Sequence, residues 1–195
     1  MASDTKDSDD TTKDAAPEPP KISAKGMAAM QGDEGDSQDQ TESVVQVPEN
    51  QEINFKDLQP NTTYEKNGYT YQTDEMGRTI SAEGQLKLKP GERSHQQTEI
   101  GHLGRSTDEG GHLIATRFDG PKDGFNIVPQ DADLNRSARS EWKEMENEWA
   151  QVLKAGEVVD VKIEPYYDDE TKRPAMFDVF YKMGGKSYTK TFLNE

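Results

Sequence analysis

The sequence contains no cysteine, which excludes a disulfide framework and any thiolate metal site. It also lacks an apolar run long enough to cross a membrane. Its N-terminus is acidic and polar, unlike the basic and apolar start of a cleaved signal peptide. We therefore expect no membrane segment. We expect export by a dedicated system without a cleaved signal peptide, with the cytoplasm as the alternative location.

Basic residues are scarce, and aromatic residues are nearly absent from the first 60 positions. The chain has 23 Lys and Arg against 38 Asp and Glu, a net charge of −15. This balance argues against a passive nucleic-acid binder, and less strongly against an enzyme that must release nucleic acid. Residues 1–60 cannot bury enough apolar surface to offset the entropy of ordering them. We predict a disordered acidic low-complexity leader over residues 1–55 and one folded domain over residues 56–195.

Residue periodicity predicts an α+β fold of antiparallel hairpins flanking one long helix. A hairpin is predicted over residues 64–88, and a second over Met176–Leu193 with its turn at Gly184-Gly185. A helix is predicted from Asn135 to Ala155, ended by Gly156. Its apolar stripe consists of residues spaced three and four apart: Trp142, Met145, Trp149, Val152 and Leu153. Between these elements, residues 91–111 read as loop with one short strand, and residues 112–118 as a strand.

The polar side chains that suggest chemistry lie in a short central stretch. His112 follows two glycines, Asn126 opens the segment Asn126–Pro129, and Asn135 ends the segment Asp133–Asn135. Histidine accepts a proton near neutral pH, and asparagine offers a neutral oxygen to a hard cation such as magnesium. A base beside a hydrated magnesium ion is sufficient in principle to hydrolyse a phosphodiester. The stretch therefore suggests a metal-dependent hydrolytic site.

Four blocks in this order resemble the DNA/RNA non-specific endonucleases of the ββα-metal (His-Me finger) class. They are Gly111–Ala115, Asn126–Pro129, Asp133–Asn135 and Glu141–Trp149. The resemblance covers residues 64–195 and is nearest to the nuclease toxin domains of type VII secretion effectors and related polymorphic toxins. It implies a ββα-metal nuclease core that cuts DNA, with RNA as a further substrate and Mg²⁺ as cofactor, Mn²⁺ being the alternative. It also implies an antibacterial toxin role and a cognate immunity protein.

The resemblance also implies roles for individual residues. His112 is expected to be the general base, Asn135 the magnesium ligand, and Asn126 a catalytic residue that fixes the geometry. Glu146 is expected to hold metal-bound water. Two arginines of the family pattern are missing, because Gly110 stands in the histidine motif, usually Asp-Arg-Gly-His, and Ala150 stands in the helix. The candidates for contacting substrate phosphate in their place are Arg105, Arg117, Arg136 and Arg139.

Several of these assignments have alternatives. If one helix ran unbroken from Asn135 to Glu146, the two residues would be about 16 Å apart and could not bind one ion, so an irregular start of the helix is favoured. Asn135 could instead cap the helix, Asn126 could instead make hydrogen bonds within its loop, and Glu146 could be a solvated helix acid. His102, in a second Gly-His-Leu, reads as a loop residue. A zinc site is the remaining alternative, and its ligands would be His95, His102, Asp108 and His112.

Two other functions compete with a nuclease toxin. The net charge favours a non-catalytic acidic interaction protein, either a degenerate nuclease or a mimic of DNA charge. The intact pair His112 and Asn135 opposes this reading, because a decoy needs neither residue. A housekeeping intracellular nuclease is the second alternative.

Overall fold

The computed structural model describes residues 43–137 and 140–195. Most of the predicted leader, residues 1–42, and the pair 138–139 lie outside the described residues. The strands are β1 (Ser43–Gln46), β2 (Thr62–Lys66), β3 (Tyr69–Thr73), β4 (Thr79–Gln85), β5 (Asp108–His112), β6 (Ile127–Asp131), β7 (Val159–Tyr166), β8 (Met176–Met183) and β9 (Lys186–Leu193). The helices are α1 (Gln97–Gly101), α2 (Ala132–Arg136) and α3 (Glu141–Lys154), with short 3₁₀ helices at Phe55–Asp57, Thr116–Phe118 and Gly124–Asn126.

Seven strands form one sheet in the order β1-β2-β3-β4-β7-β8-β9. β1 is parallel to β2, and every other pairing in this sheet is antiparallel. The α+β class and the C-terminal hairpin are confirmed, and both turn glycines of that hairpin have the positive φ that a tight β-hairpin turn requires. The predicted first and last hairpins are not separate, because β4 pairs with β7 and joins them into one sheet.

The described fold begins earlier than the predicted boundary at residues 55 and 56. β1 pairs with β2 from Ser43 onward, and Val47, just after β1, is buried in the core. Farther along, the backbone of Ile53 exchanges hydrogen bonds with the loop before β6, donating to Asp123 Oδ1 at 2.7 Å and accepting from Gly124 N at 2.8 Å. A four-residue strand that pairs in parallel has no adjacent turn to mark it in the sequence.

The main core lies between the sheet and α3. The predicted helix stripe is confirmed: Trp142, Met145 and Trp149 are buried, and the Trp142 ring packs edge-on against Phe177 and Phe192 of the sheet. The predicted start at Asn135 is wrong, because Asn135 belongs to α2, and α3 begins at Glu141. Among the described residues, none of the helices has the length and hydrophobicity needed to cross a membrane.

A second, two-stranded sheet of β5 and β6 lies in the chain between β4 and β7. The prediction of a strand over residues 112–118 is wrong, because β5 ends at His112 and residues 116–118 form a 3₁₀ helix. The side chain of Asn126 causes this bend: its Oδ1 accepts from Ile114 N and its Nδ2 donates to Ile114 O, both at 2.9 Å. These bonds occupy backbone groups that a continuing strand would have paired with a neighbour.

Candidate active site

The two glycines before His112 allow other elements to approach β5 closely. A Cβ added at Gly110 would lie 2.3 Å from the backbone oxygen of Gln97 in α1. A Cβ at Gly111 would lie 1.9 Å from Oε1 of Gln130 on β6. Neither position can accept a side chain without displacing its neighbour. A side chain at position 110, such as the arginine that the resemblance led us to expect, would collide with α1.

A cleft of about 650 Å³ opens where α1, β5, α2 and α3 meet. His112, Asn135 and Glu146, which come from three different elements, all line it. The other lining residues are Arg93, Gln97, Thr98, His102, Asp108, Glu109, Gly110, Ala115, Thr116, Arg136 and Lys143. The structure therefore brings together three of the four residues expected to perform chemistry.

His112 is the last residue of β5 and is largely buried. Burial, and to a lesser extent the positive charge of Arg93, together lower the pKa of its imidazole to about 4. The ring is therefore neutral at neutral pH. Its Nε2 is buried and has no hydrogen-bond partner among the described residues. His112 therefore lines the cleft with other atoms of its side chain. A neutral imidazole on the cleft wall is able to accept a proton.

Asn126 does not line the cleft, contrary to its expected place among the catalytic residues. Its side chain is fully buried. Besides the two bonds to Ile114, its Nδ2 donates to Pro121 O at 2.8 Å, and its backbone oxygen accepts from Leu113 N at 2.8 Å. Every hydrogen-bonding atom of the amide is thus used to hold the chain that follows His112. The Asn126 side chain thus holds the backbone that follows His112 and does not line the cleft.

Asn135 lies on α2, opposite β5. Its Nδ2 donates to Glu109 Oε2 at 3.4 Å, and the neighbouring Arg136 forms an ion pair with Glu109 Oε1 at 3.1 Å. This bond turns the amide nitrogen of Asn135 toward Glu109, so the amide oxygen is the atom of this side chain that a cation would use. Glu109 thus orients the asparagine, and sequence reasoning missed this contact because only the hairpin geometry brings β5 and α2 together.

Glu146 is almost fully buried on α3. Its Oε1 accepts from Trp142 Nε1 at 3.2 Å, and its Oε2 forms an ion pair with Lys143 at 3.0 Å. These contacts exclude the alternative of a solvated helix acid. The helix is interrupted between Asn135 on α2 and Glu146 on α3, so the separation of about 16 Å in one unbroken helix does not apply, and both residues line the same cleft. Ser140 joins the two helices by capping α3 at Lys143 N and donating to Leu134 O at 2.7 Å.

The candidate phosphate-binding arginines do not all reach the cleft. Arg136 lines it but is paired with Glu109. Arg105 lines a different depression near the C-terminus, and Arg117 donates to Asn147 at 2.8 Å and does not line the cleft. Arg139 lies outside the described residues. Sequence reasoning missed Arg93, an exposed cation on the cleft wall for which no acidic partner is found in the described part of the chain.

His102 also lines the cleft, at the C-terminal end of α1, whereas it was expected to be an uninvolved loop residue. The zinc alternative finds no support in the described ranges, which contain no group of three or more His, Cys, Asp or Glu side chains placed to hold an ion. Asp108, one of its proposed ligands, has both carboxylate oxygens bonded to Arg173. His95 does not line the cleft.

The donors of the cleft fit a hydrated magnesium ion better than a dedicated protein cage. Magnesium prefers oxygen ligands, keeps several waters and is often completed by substrate phosphate. The amide oxygen of Asn135 is a suitable single ligand, and the carboxylate of Glu146 is a suitable acceptor for metal-bound water. The cleft has no cysteine and no imidazole cluster that would favour a softer metal.

An α+β fold with a neutral histidine, an asparagine and a buried glutamate around one cleft is the arrangement of a hydrolytic metal enzyme. The chain belongs to the DNA/RNA non-specific endonuclease family, which it matches over residues 60–185. It is 37% identical over 147 residues to the type VII secretion system protein EssD of Staphylococcus aureus strain USA300, covering 72% of this chain and 24% of that protein. EssD of strain NCTC 8325 / PS 47 matches equally well. The chain spans about a quarter of the length of these curated relatives.

Two solved structures share the fold. The crystal structure of NucA from Streptococcus agalactiae with magnesium ion bound has a TM-score of 0.54 at 19% identity, over 67% of this chain and 71% of that one. The structure of Sda1 nuclease with bound zinc ion has a TM-score of 0.50 at 14% identity, over 65% of this chain and 75% of that one. These likenesses agree with the mostly-sheet α+β architecture with one long helix.

Proposed function

We propose that this domain is a metal-dependent endonuclease that hydrolyses DNA phosphodiesters without sequence preference, with RNA as a further substrate. In this proposal β5, β6 and the helices that follow form its ββα-metal core. The observation that carries the proposal is the position of a neutral His112 on the same cleft as Asn135. Family membership and the oxygen donors of the cleft support Mg²⁺ as the cofactor, with Mn²⁺ as a substitute.

In the proposed reaction, His112 takes a proton from the water that attacks phosphorus. Asn135 would bind the ion through its amide oxygen, held in that orientation by Glu109. A bound magnesium ion supplies positive charge that stabilises the phosphate as negative charge develops on it. Glu146, whose carboxylate is held in place by Trp142 and Lys143, would orient water beside a bound ion. Asn126 keeps the backbone after His112 in position.

The cations of the cleft are proposed to contact substrate phosphates. Arg93 is the strongest candidate because its charge is not already used by an acidic partner among the described residues. Arg136 and Lys143 line the cleft as well, but each is paired with a carboxylate that would compete for its charge. Contacts of this kind bind the nucleic-acid backbone and read no base sequence, which agrees with cleavage without sequence preference.

We further propose that the protein acts as an antibacterial toxin exported by a dedicated secretion system and neutralised by a cognate immunity protein. The similarity to the type VII secretion system protein EssD supports the export route. A nuclease without sequence preference endangers the cell that makes it, which supports the need for an inhibitor. An exported toxin and an intracellular nuclease are distinguished by whether the protein is found outside the cell that makes it.

The proposal is tested by plasmid cleavage with the purified full chain, in magnesium and in EDTA, beside His112→Ala. We expect magnesium-dependent nicking by the wild type and a loss of about 10²–10⁴-fold in the variant, because that is the usual contribution of general-base catalysis. Thermal unfolding of the variant should stay cooperative, since the substitution removes no core contact.

His95→Ala is the matched control, because His95 is exposed and does not line the cleft. It should cleave as the wild type does. Retained cleavage by His112→Ala would place the base elsewhere. A well-folded wild type that cuts neither DNA nor RNA with any of several divalent metals would instead support the acidic interaction protein.

A further inference from the structure

The end of the β5–β6 sheet farthest from His112 is held by residues that the proposed reaction does not use. Asn194 follows β9 and is buried. Its Oδ1 accepts from Asp131 N at 2.8 Å, and its Nδ2 donates to Pro129 O at 3.1 Å. Proline has no N–H and belongs on an open strand edge. The amide of Asn194 therefore bonds to the open edge of β6 in the way that a neighbouring strand would.

The same amide connects β6 to the main sheet. The second N–H of Asn194 Nδ2 donates to Pro174 O at 2.7 Å, and the backbone N of Asn194 donates to Ala175 O at 2.9 Å. Pro174 and Ala175 immediately precede β8. One side chain thus ties the two-stranded sheet to the seven-stranded sheet, and both polar atoms of its amide are bonded.

Arg173, next to Pro174 in the chain, holds the other strand of the hairpin. Its Nε donates to Asp108 Oδ2 at 2.6 Å and its Nη2 to Asp108 Oδ1 at 3.0 Å. The Asp108 side chain is fully buried and that of Arg173 is nearly so. Asp108 is the first residue of β5 and pairs with Asp131, the last residue of β6. Arg173 and Asn194 therefore hold the two strands at the same end.

This end of the hairpin carries one side of the cleft. Asp131 caps α2 by accepting from Asp133 N at 2.9 Å, and α2 presents Asn135. Glu109, which bonds to Asn135, directly follows Asp108 on β5. A shift of either strand end would change the Glu109–Asn135 contact without moving His112, which lies at the opposite end of β5.

We infer that Arg173 and Asn194 are positioning residues that fix Asn135 and Glu109 relative to His112. The effect on metal-dependent cleavage rests on the proposed function. The positioning of α2 rests on the hydrogen bonds alone. Asn194 lies beyond residue 185, where the family match ends. Loss of its amide should loosen α2 and weaken metal binding, whereas proton transfer at His112 should be preserved.

The test compares the full chain with Asn194→Ala and with Thr191→Ala. Thr191 lies on β9 and donates through its hydroxyl to Asp178, so Thr191→Ala removes one exposed hydrogen bond near the same end of the chain, whereas Asn194→Ala removes three side-chain bonds. Three quantities are measured well below the unfolding temperature: hydrogen exchange of β6 and α2 amides, Mn²⁺ binding by electron paramagnetic resonance, and the magnesium dependence of plasmid cleavage.

For Asn194→Ala we expect faster hydrogen exchange at Asp131 and in α2. We also expect the metal concentration for half-maximal binding and cleavage to rise about fivefold or more. Contacts outside the direct ligands of a metal typically change its affinity about 10–100-fold. The kcat at saturating metal and the pH profile should stay close to wild type. Thr191→Ala should leave all three unchanged. Wild-type exchange and metal dependence in a folded Asn194→Ala protein would overturn the inference.

Asn194→Ser provides a second variant if alanine prevents folding. Its short hydroxyl side chain can replace at most part of the three amide bonds and buries no charge, so a smaller effect in the same direction is expected. No effect would again overturn the inference. If the wild type failed to cleave at all, the proposed function would fail, but hydrogen exchange and Mn²⁺ binding would still decide whether Asn194 positions α2.

Discussion

His112 should remain neutral over a wider acid range than an exposed histidine. Its pKa is lowered to about 4 by burial and by Arg93. Because the base must be neutral to accept a proton, the proposed activity is present above this pKa and is lost as pH falls through it. An ordinary histidine, with a pKa of about 6.5, would already be mostly protonated at pH 5.

Arg93→Ala is expected to change both substrate binding and this pH dependence. Removing the positive charge raises the pKa of His112, so the acid limb of kcat/KM moves to higher pH. The loss of a charge-assisted phosphate contact should lower kcat/KM at neutral pH by about tenfold or more. The measurement is kcat/KM for plasmid cleavage from pH 4 to pH 8, because kcat/KM reports the groups of the free enzyme.

Arg105→Ala is the control, since Arg105 lies outside the cleft. It removes the same charge from the protein and should leave the acid limb in place. If both arginine variants shifted the limb equally, the effect would come from the overall charge rather than from the position of Arg93.

At the scale of secondary structure, the short strand β1 bears on where the folded domain begins. It extends the sheet beyond β2, and Val47 and Ile53, which follow it, pack against the main core. The family match starts only at residue 60. The hydrogen bonds of Ile53 reach Asp123 and Gly124, so this segment supports the loop that leads into β6.

Two truncations should therefore differ. Deleting residues 1–42 leaves β1 intact and should preserve the free energy of unfolding. Deleting residues 1–50 removes β1 and the buried Val47, and should lower it by about 2–4 kcal/mol, the scale expected for one buried apolar side chain together with its strand. Urea denaturation of both proteins measures the difference. Equal stability of the two would mean that β1 does not belong to the cooperative unit.

Local sequence patterns predicted those elements whose cause is local. The stripe of Trp142, Met145 and Trp149 and the glycine turn before β9 each reflect residues close together in the chain, and both were confirmed. The grouping of His112 with Asn135 in one cleft came from motif resemblance. Their catalytic roles remain predictions.

The missed features depend on contacts between distant parts of the chain. Asn126, 14 residues after His112, fixes the bend of the chain that follows His112. Residues 112–118 therefore do not form the strand that their sequence pattern predicted. Arg93 reaches the cleft because α1 packs on Gly110, and no periodicity records that packing. The pairing of β4 with β7 links residues about 75 positions apart, from Gln85 to Asp160. Such contacts are decided by the tertiary fold rather than by local propensity.

For the molecule as a whole, negative charge opposes the approach of a polyanionic substrate. Residues 1–42 contribute 11 acidic and 4 basic residues, a balance of −7 within the total of −15. Electrostatic repulsion of this kind slows association and is screened by salt. A basic nucleic-acid binder shows the opposite dependence, since added salt weakens it.

The salt dependence of cleavage should therefore distinguish the full chain from residues 43–195. At low ionic strength, the truncated protein should have a kcat/KM for DNA several-fold higher than the full chain. The difference should shrink as ionic strength rises from about 0.01 M to 0.3 M, because the screening length falls from roughly 30 Å to below 10 Å over this range. Identical salt profiles would mean that the leader charge does not act at the cleft.

The pairing of β4 with β7 also sets the order in which the cleft can form during synthesis. His112, Asn135 and Glu146 all precede β7 in the chain, but the residues that hold the β5–β6 hairpin, Arg173 and Asn194, follow β7. A growing chain therefore contains every proposed catalytic group before it contains their support. Closing the sheet requires contacts across a long loop, which are slow to form. The nascent chain therefore passes through a period in which the catalytic side chains have been synthesised but the cleft is not yet assembled.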